Sequence, residues 1–192
     1  VMQTVSLRRS SPILNRLLED PVEEMRMSAH ALLERESRRM TDVIRVELAK
    51  LAQAATDVDR YAILRRIAEH YWELVYTGIA HGDTAGFAID EALARLDEAA
   101  RIAPRDTSLW QLRAKLLRAK GAPEVAALAY QTAVADGLAP GRAAPYIAEI
   151  AFERGDLRTV RQQMALVEED AGPMVVPIAQ FWQTRMRFGR AP

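Results

Sequence analysis

Apolar residues along the chain recur at three- and four-residue spacing, and β-branched residues nowhere alternate with polar ones. This pattern predicts helices throughout and no strands. A first stripe runs Val22, Met25, Ala29 and Leu32, weakens across Glu34 to Arg39, and resumes at Met40, Val43, Ile44, Leu48 and Leu51. Asp20 as N-cap, Pro21 at the first helical position and Glu23 three residues after the cap open this segment, and no breaker follows until about Thr56. The polar gap marks a bend, a break, or a stretch that projects beyond the core. Ahead of it, Ser11 as cap and Pro12 in the first turn predict a short helix ending near Glu19. These two helices make an N-terminal segment, residues 1–56, set off from residues 57–192.

The remainder repeats. With Gly121 aligned on Gly155 the offset is 34 residues, and Ala114 falls on Ala148, Ala126 on Val160, Tyr130 on Met164 and Ala133 on Val167. The same step backwards brings Ala92, Leu96, Ala99 and Pro104 into the matching slots. Small and large residues in this order at a 34-residue period are the signature of tetratricopeptide repeats, where each helix pair hides its apolar face only by stacking on the next. The spacing has a physical basis, since helices approach to about 8–10 Å only where the side chains at the crossing are small. The middle repeat sets Trp110, Ala114 and Leu117 on its first helix and Ala126, Tyr130 and Ala133 on its second. Ala114 is expected to face Ala126, with Trp110 and Tyr130 filling the gap and Trp110 mostly buried.

The expected fold class is all-α: a right-handed superhelix of tetratricopeptide-like helical hairpins, about three pairs, preceded by the long N-terminal helix. The first helix of the first pair runs from about Asp59 to Ala80. HGDTAG, His81 to Gly86, reads as the loop before a second helix that starts near Ala85. PMVVPIAQFWQTRMRF supplies a closing helix from Met174 to Phe188, with Ile178, Phe181, Trp182 and Met186 as the stripe that covers the end of the stack.

Composition narrows the function classes. The 26 basic residues cancel the 26 acidic ones, so no global field points to nucleic acid. Cysteine is absent, which removes disulfides and thiolate metal sites and fits a cytosolic setting. No run of 18 or more apolar residues exists, and the chain starts at Val1, so the expectation is a soluble piece of something longer.

Candidate chemistry is thin. EHYWELVYTGIAHGD holds His70, His81, Glu69, Glu73 and Asp83 together with aromatic residues. The aromatic residues fall at core spacing on one helix, and His70 and His81 are eleven apart, which suits no metal-binding helix motif. Glu69 and Glu73 share a face without an opposing carboxylate. RGD at Arg154 to Asp156 sits where the repeat needs a turn. No phosphate loop and no nucleophile with a base and an orienting acid is found. The reading is therefore not an enzyme, with no cofactor and no metal.

DPVEEMRMSAHALLERES, AEHYWELVYTGIAHGD and PYIAEIAFERGD resemble the corresponding blocks of the PelE family, the membrane-anchored tetratricopeptide component of bacterial Pel exopolysaccharide synthesis. The resemblance spans about Leu14 to Leu166. It implies a non-catalytic scaffold on the cytoplasmic face of the inner membrane that binds other components of the polysaccharide synthase complex, glycosyltransferase or membrane subunits. It also implies transmembrane helices ahead of this region, which this chain does not contain. Arg8, Arg9 and Arg16 then stand as juxtamembrane cations. A generic tetratricopeptide co-chaperone or regulatory peptide-binding module is the alternative.

In such repeats the first helices build the inner wall, and their outward positions are not needed for stacking. Here these are Gln111, Lys115 and Arg118 on the middle repeat, and Arg142, Glu149 and Phe152 on the last. Residues 105–192 carry 12 basic and 9 acidic side chains, a net of 12 − 9 = +3. The partner expected there is a modestly acidic or amphipathic helix or peptide, with Phe152 as apolar anchor and Arg118 as ionic contact.

Overall fold

The computed structural model describes residues 17–170. The short helix expected from Ser11 lies outside the described residues except for its end, where Leu17 is helical and Leu18 and Glu19 turn. The closing helix expected from Met174 to Phe188 lies outside them altogether. Within them all regular structure is helical: α1 (Glu23–Gln53), α2 (Asp57–Tyr76), α3 (Gly82–Ile102), α4 (Thr107–Ala119), α5 (Pro123–Ala135), α6 (Pro140–Glu153) and α7 (Leu157–Asp170). The chain divides into two compact units between Pro104 and Arg105.

In the first unit α1 packs on α2 and α2 on α3. The long helix begins two residues later than its sequence suggests. Asp20 does not cap it; its Oδ1 accepts from the Val22 amide at 2.9 Å, while Arg26 reaches back to the Asp20 carbonyl at 2.7 Å. Both bonds fasten a turn of the chain ahead of Glu23. The polar gap does not break the helix. Ion pairs at i,i+4 and i,i+3, Arg38 with Glu34 and Arg39 with Glu36, lie on its exposed surface there and support helix without any apolar face. Helix α1 stops at Gln53 because Thr56 serves the next helix, its hydroxyl accepting from the Asp59 amide at 3.1 Å.

Contact between α1 and α2 is fixed by a buried charge. Glu47 is covered, and Lys50 Nζ donates to its Oε1 at 2.6 Å while Arg66 Nε donates to its Oε2 at 2.9 Å. The hydrogen bond from Lys50 is the main cause holding this carboxyl below its ordinary range, helped by Arg66 and opposed by burial. A buried acid without these partners would carry a large desolvation penalty, so the pair sets the register of the two helices.

Among the described residues the second unit has two hairpins, α4 with α5 and α6 with α7, and α5 packs on α6. The 34-residue register holds at the named slots except Pro104, which is exposed where its counterpart Leu138 is buried. Ala114 and Ala148 are buried on the first helices; Ala126, Tyr130 and Ala133 are buried on α5; and Val160, Met164 and Val167 are buried on α7. In the first unit Ala92, Leu96 and Ala99 are buried on α3 in the same phase. Ala114 shares a cluster with Ala129, Tyr130, Ala133 and Ile147.

Trp110 is mostly buried, as expected, though not fully enclosed. It packs at the edge of that cluster, and the Arg113 guanidinium lies 5.4 Å from its ring centroid. One face therefore packs and the other is covered by a cation. Trp110→Ala is expected to cost about 1.5–3 kcal/mol, less than a fully enclosed aromatic; chemical denaturation checks the value.

Gly121 and Gly155 end α4 and α6 with φ of 81° and 75°. The Ala122 amide reaches the Leu117 carbonyl, and the Asp156 amide the Ala151 carbonyl, each at 2.9 Å, which closes both helices in the same C-terminal motif. A Cβ at Gly121 would meet nothing within 4 Å, so substitution there isolates the backbone effect. Gly121→Ala is expected to destabilise by about 1–2 kcal/mol and Gly121→Asn by less, since asparagine tolerates the left-handed region. Equal melting temperatures for the two variants would contradict this.

Candidate partner-binding surfaces

In the second unit, Asp106 starts α4 by accepting from the Ser108 amide at 2.8 Å, and Pro140 starts α6. Both helices turn small residues inward, Ala114 on α4 and Ala144, Ala148 and Ala151 on α6. Of the residues expected to face outward, Gln111, Lys115, Arg118 and Glu149 are half-buried, and Arg142 and Phe152 are exposed. Gln111 donates to the Thr107 carbonyl one turn back, at 3.3 Å.

Arg118 and Glu149 come together, and they do so with each other. The Arg118 guanidinium donates to Glu149, and its second nitrogen to Glu153 Oε1 at 2.9 Å. These hydrogen bonds, that to Glu149 foremost, raise the guanidinium further above its ordinary range. The cation expected to meet a partner's acid thus meets two carboxylates of its own chain, and an acidic ligand would have to displace them. A partly exposed pair of this kind stabilises by about 0–1 kcal/mol, so its main effect is to orient α4 against α6.

Tyr146 and Glu153 were not singled out by the sequence pattern. Tyr146 stands four residues after Arg142 and three before Glu149, so it extends their face. It stacks on Tyr130 with ring centroids 5.0 Å apart and planes 8° from parallel. Burial is the main cause that pushes the Tyr130 hydroxyl well above its usual range, with Tyr146, Arg118 and Glu149 also acting on it. The face therefore combines a partly exposed aromatic pair with an ion cluster of one guanidinium and two carboxylates, and Arg142 and Phe152 flank it.

The first unit carries a groove. A cavity of about 490 Å³ opens where the middle of α1 meets the end of α2 and the start of α3, and Thr41, Ile44, Tyr71, Leu74 and Phe87 line it. A second cavity of about 440 Å³, lined by Leu18, His30 and Leu33, shares Ser37, Ile79 and His81 with the first. The two cavities are neighbours along α1, and both linings are mainly apolar. Tyr71 and Phe87 meet edge to face at 6.4 Å, while Phe87 keeps most of its ring exposed.

The stretch read as the loop HGDTAG is mostly helix. His81 precedes α3, and its amide donates to Thr84 Oγ1 at 3.1 Å while that hydroxyl donates to the His81 carbonyl at 2.7 Å. This reciprocal pair makes a helix start of what glycine content marks as a loop. It also occupies the Thr84 hydroxyl with backbone, so His81, Asp83 and Thr84, all exposed, do not form a nucleophile and base. Among the described residues no three potential ligands lie together as a metal site, and no helix is long and apolar enough to cross a membrane.

With this geometry in place, comparison with known proteins bears on the fold. No family model matches the chain, and no curated protein does. The crystal structure of a thermophilic TPR protein from Thermus thermophilus matches with a TM-score of 0.60 at 18% identity, over 94% of this chain and 90% of that one. The fold is of the tetratricopeptide-repeat type. A MamA RS-1 double mutant (TM-score 0.41, 15% identity, 88% of this chain and 99% of that one) and Acl4, the assembly chaperone of RpL4, residues 1–338 (0.42, 18%, 84% and 63%), are more distant likenesses.

Proposed function

We propose that this chain is a non-catalytic protein–protein interaction scaffold, the tetratricopeptide part of an inner-membrane exopolysaccharide (Pel) synthase complex, acting at the cytoplasmic face. In this reading residues 57–192 carry the repeats and residues 1–56 form the N-terminal helical segment. The observation that carries the scaffold reading is the division of labour on α4 and α6. Their small residues are spent on stacking, while Arg142, Tyr146 and Phe152 are exposed. Such an exposed face, with aromatic and basic side chains, suits recognition of a protein segment. The finer assignment rests on the three sequence blocks that resemble the PelE family, two of which fall in the first unit and one across α6.

The binding face comprises Gln111, Lys115, Arg118, Arg142, Glu149 and Phe152, with Tyr146 added. Because Arg118 is matched by Glu149 and Glu153, the favoured partner segment is an amphipathic helix whose apolar side meets Phe152 and Tyr146. A co-chaperone of the carboxylate-clamp kind is disfavoured by the same pairing. Such a clamp needs basic and amide groups on successive first helices, and the positions that follow Gln111, Lys115 and Arg118 by 34 hold Pro145, Glu149 and Phe152.

Co-purification of the full-length protein from native membranes, with mass-spectrometric identification of what accompanies it, tests this. Glycosyltransferase or membrane subunits of a polysaccharide synthase are the expected result. Recovery of general chaperones, or of no protein above background, would contradict it.

A further inference from the structure

We propose that the larger cavity of the first unit binds a small amphiphile with one cationic head, an ammonium group carried on an apolar chain. Its lining is divided as such a molecule is. One end is closed by Ile44, Tyr71, Leu74 and Ala88, all buried. At the other end Ser37 and His81, which also line the neighbouring cavity, stand with the exposed Asp83 and Thr84. From Ile44 back to Ser37 is seven residues, about 10 Å along α1. A volume of about 490 Å³ lies within the range of small-molecule sites, which join an apolar lining to a few polar groups.

The polar end decides the head group. Among the described residues Asp83 is the one side chain of this lining with a formal charge, and it has no hydrogen bond or ion pair. The Thr41 hydroxyl donates to the Ser37 carbonyl at 2.9 Å, and the Thr84 hydroxyl to the His81 carbonyl at 2.7 Å. With their protons committed, both oxygens are left to accept, which suits a donor head and not a carboxylate. The start of α3 would by itself favour an anion, but Asp83 already supplies that charge in its first turn. One turn on from Asp83, Phe87 meets Tyr71 edge to face, with centroids 6.4 Å apart and planes at 83°. Aromatic faces set at right angles beside a carboxylate attract an ammonium group. The inference is independent of the face proposed for partner binding.

Octylammonium, octanoate and octanol are the probes, with butylammonium as the short-chain control, each titrated calorimetrically into the full chain below its aggregation concentration. Octylammonium is expected to bind about fivefold more tightly than the other two octyl probes. Between butyl and octyl, affinity should rise about fourfold for each buried methylene. Asp83→Asn should remove most of the preference for the ammonium while keeping the dependence on chain length. Thr41→Trp, which fills the cavity from an exposed position, should abolish binding of every probe with circular dichroism unchanged. Phe87→Ala, also exposed, should weaken octylammonium by about threefold and serves if the tryptophan variant does not fold. Equal affinity for the three octyl probes, preference for octanoate, affinity independent of chain length, or no binding would each overturn the proposal. So would octylammonium binding that survives unchanged in folded Thr41→Trp or Phe87→Ala protein.

Discussion

Replacing Tyr130 by alanine is expected to cost about 3–5 kcal/mol, the largest single loss among the described aromatic positions of the second unit. Tyr130 is 1% exposed and belongs to the cluster with Ala114, Ala133, Leu138, Ala143 and Ile147. It therefore touches α4, α6 and the turn between α5 and α6, and no neighbour can move in without unpacking another. The truncation leaves a void between helices and strips Tyr146 of the ring it stacks on. Tyr130→Phe keeps the ring and should recover most of the loss. Equilibrium denaturation of both variants decides the matter: a phenylalanine variant as unstable as the alanine one would place the stabilisation in the hydroxyl instead.

The second large effect runs in the opposite direction, through added volume. Ala148→Leu is expected to destabilise by about 1–3 kcal/mol, because Ala148 is fully enclosed with Ala144, Ala151, Val160 and Met164 and the added atoms force helices apart. Ala114, its counterpart 34 residues earlier, is equally enclosed, so Ala114→Leu should cost a similar amount. The comparison probes the repeat register itself. If one substitution is harmless and the other severe, the two positions are not equivalent crossings, whatever their spacing in the chain.

Much of the fold was legible for the reason these substitutions matter. A crossing of two helices admits few residue types, so alanine and large residues repeat in a readable order at Ala92 to Ala99, Ala126 to Ala133 and Val160 to Val167. Turn chemistry was equally plain at Gly121 and Gly155. What escaped was set by exposed or paired polar groups, which leave no apolar period. Helix α1 continues through Glu34 to Arg39 on ion pairs, and α3 starts early on the exchange between His81 and Thr84.

The tie from Arg118 to Glu149 and Glu153 had a signal that periodicity of apolar residues does not contain. Adding the repeat length to 118 gives 152, and Glu149 and Glu153 fall within one turn of it. Acids flanking the repeat-equivalent of a basic residue are thus candidates for pairing across neighbouring first helices. Trp110 shows the converse limit, since its spacing marks it as core but does not show that Arg113 would lie over its outer face.

The central claim is that α4 and α6 present a face for a protein partner, and one measurement bears on it most directly. The double variant Arg142→Glu/Phe152→Ala alters two exposed side chains on α6 while leaving the Arg118 pairs and the enclosed alanines in place. Co-purification of partner proteins with the full-length protein is quantified for wild type and variant at low and high salt, alongside circular dichroism and thermal melting. The account predicts a loss of partner of about tenfold or more, as for residues at the centre of an interface, with helicity and melting temperature unchanged. Partner recovered at wild-type yield by a normally folded variant would contradict it.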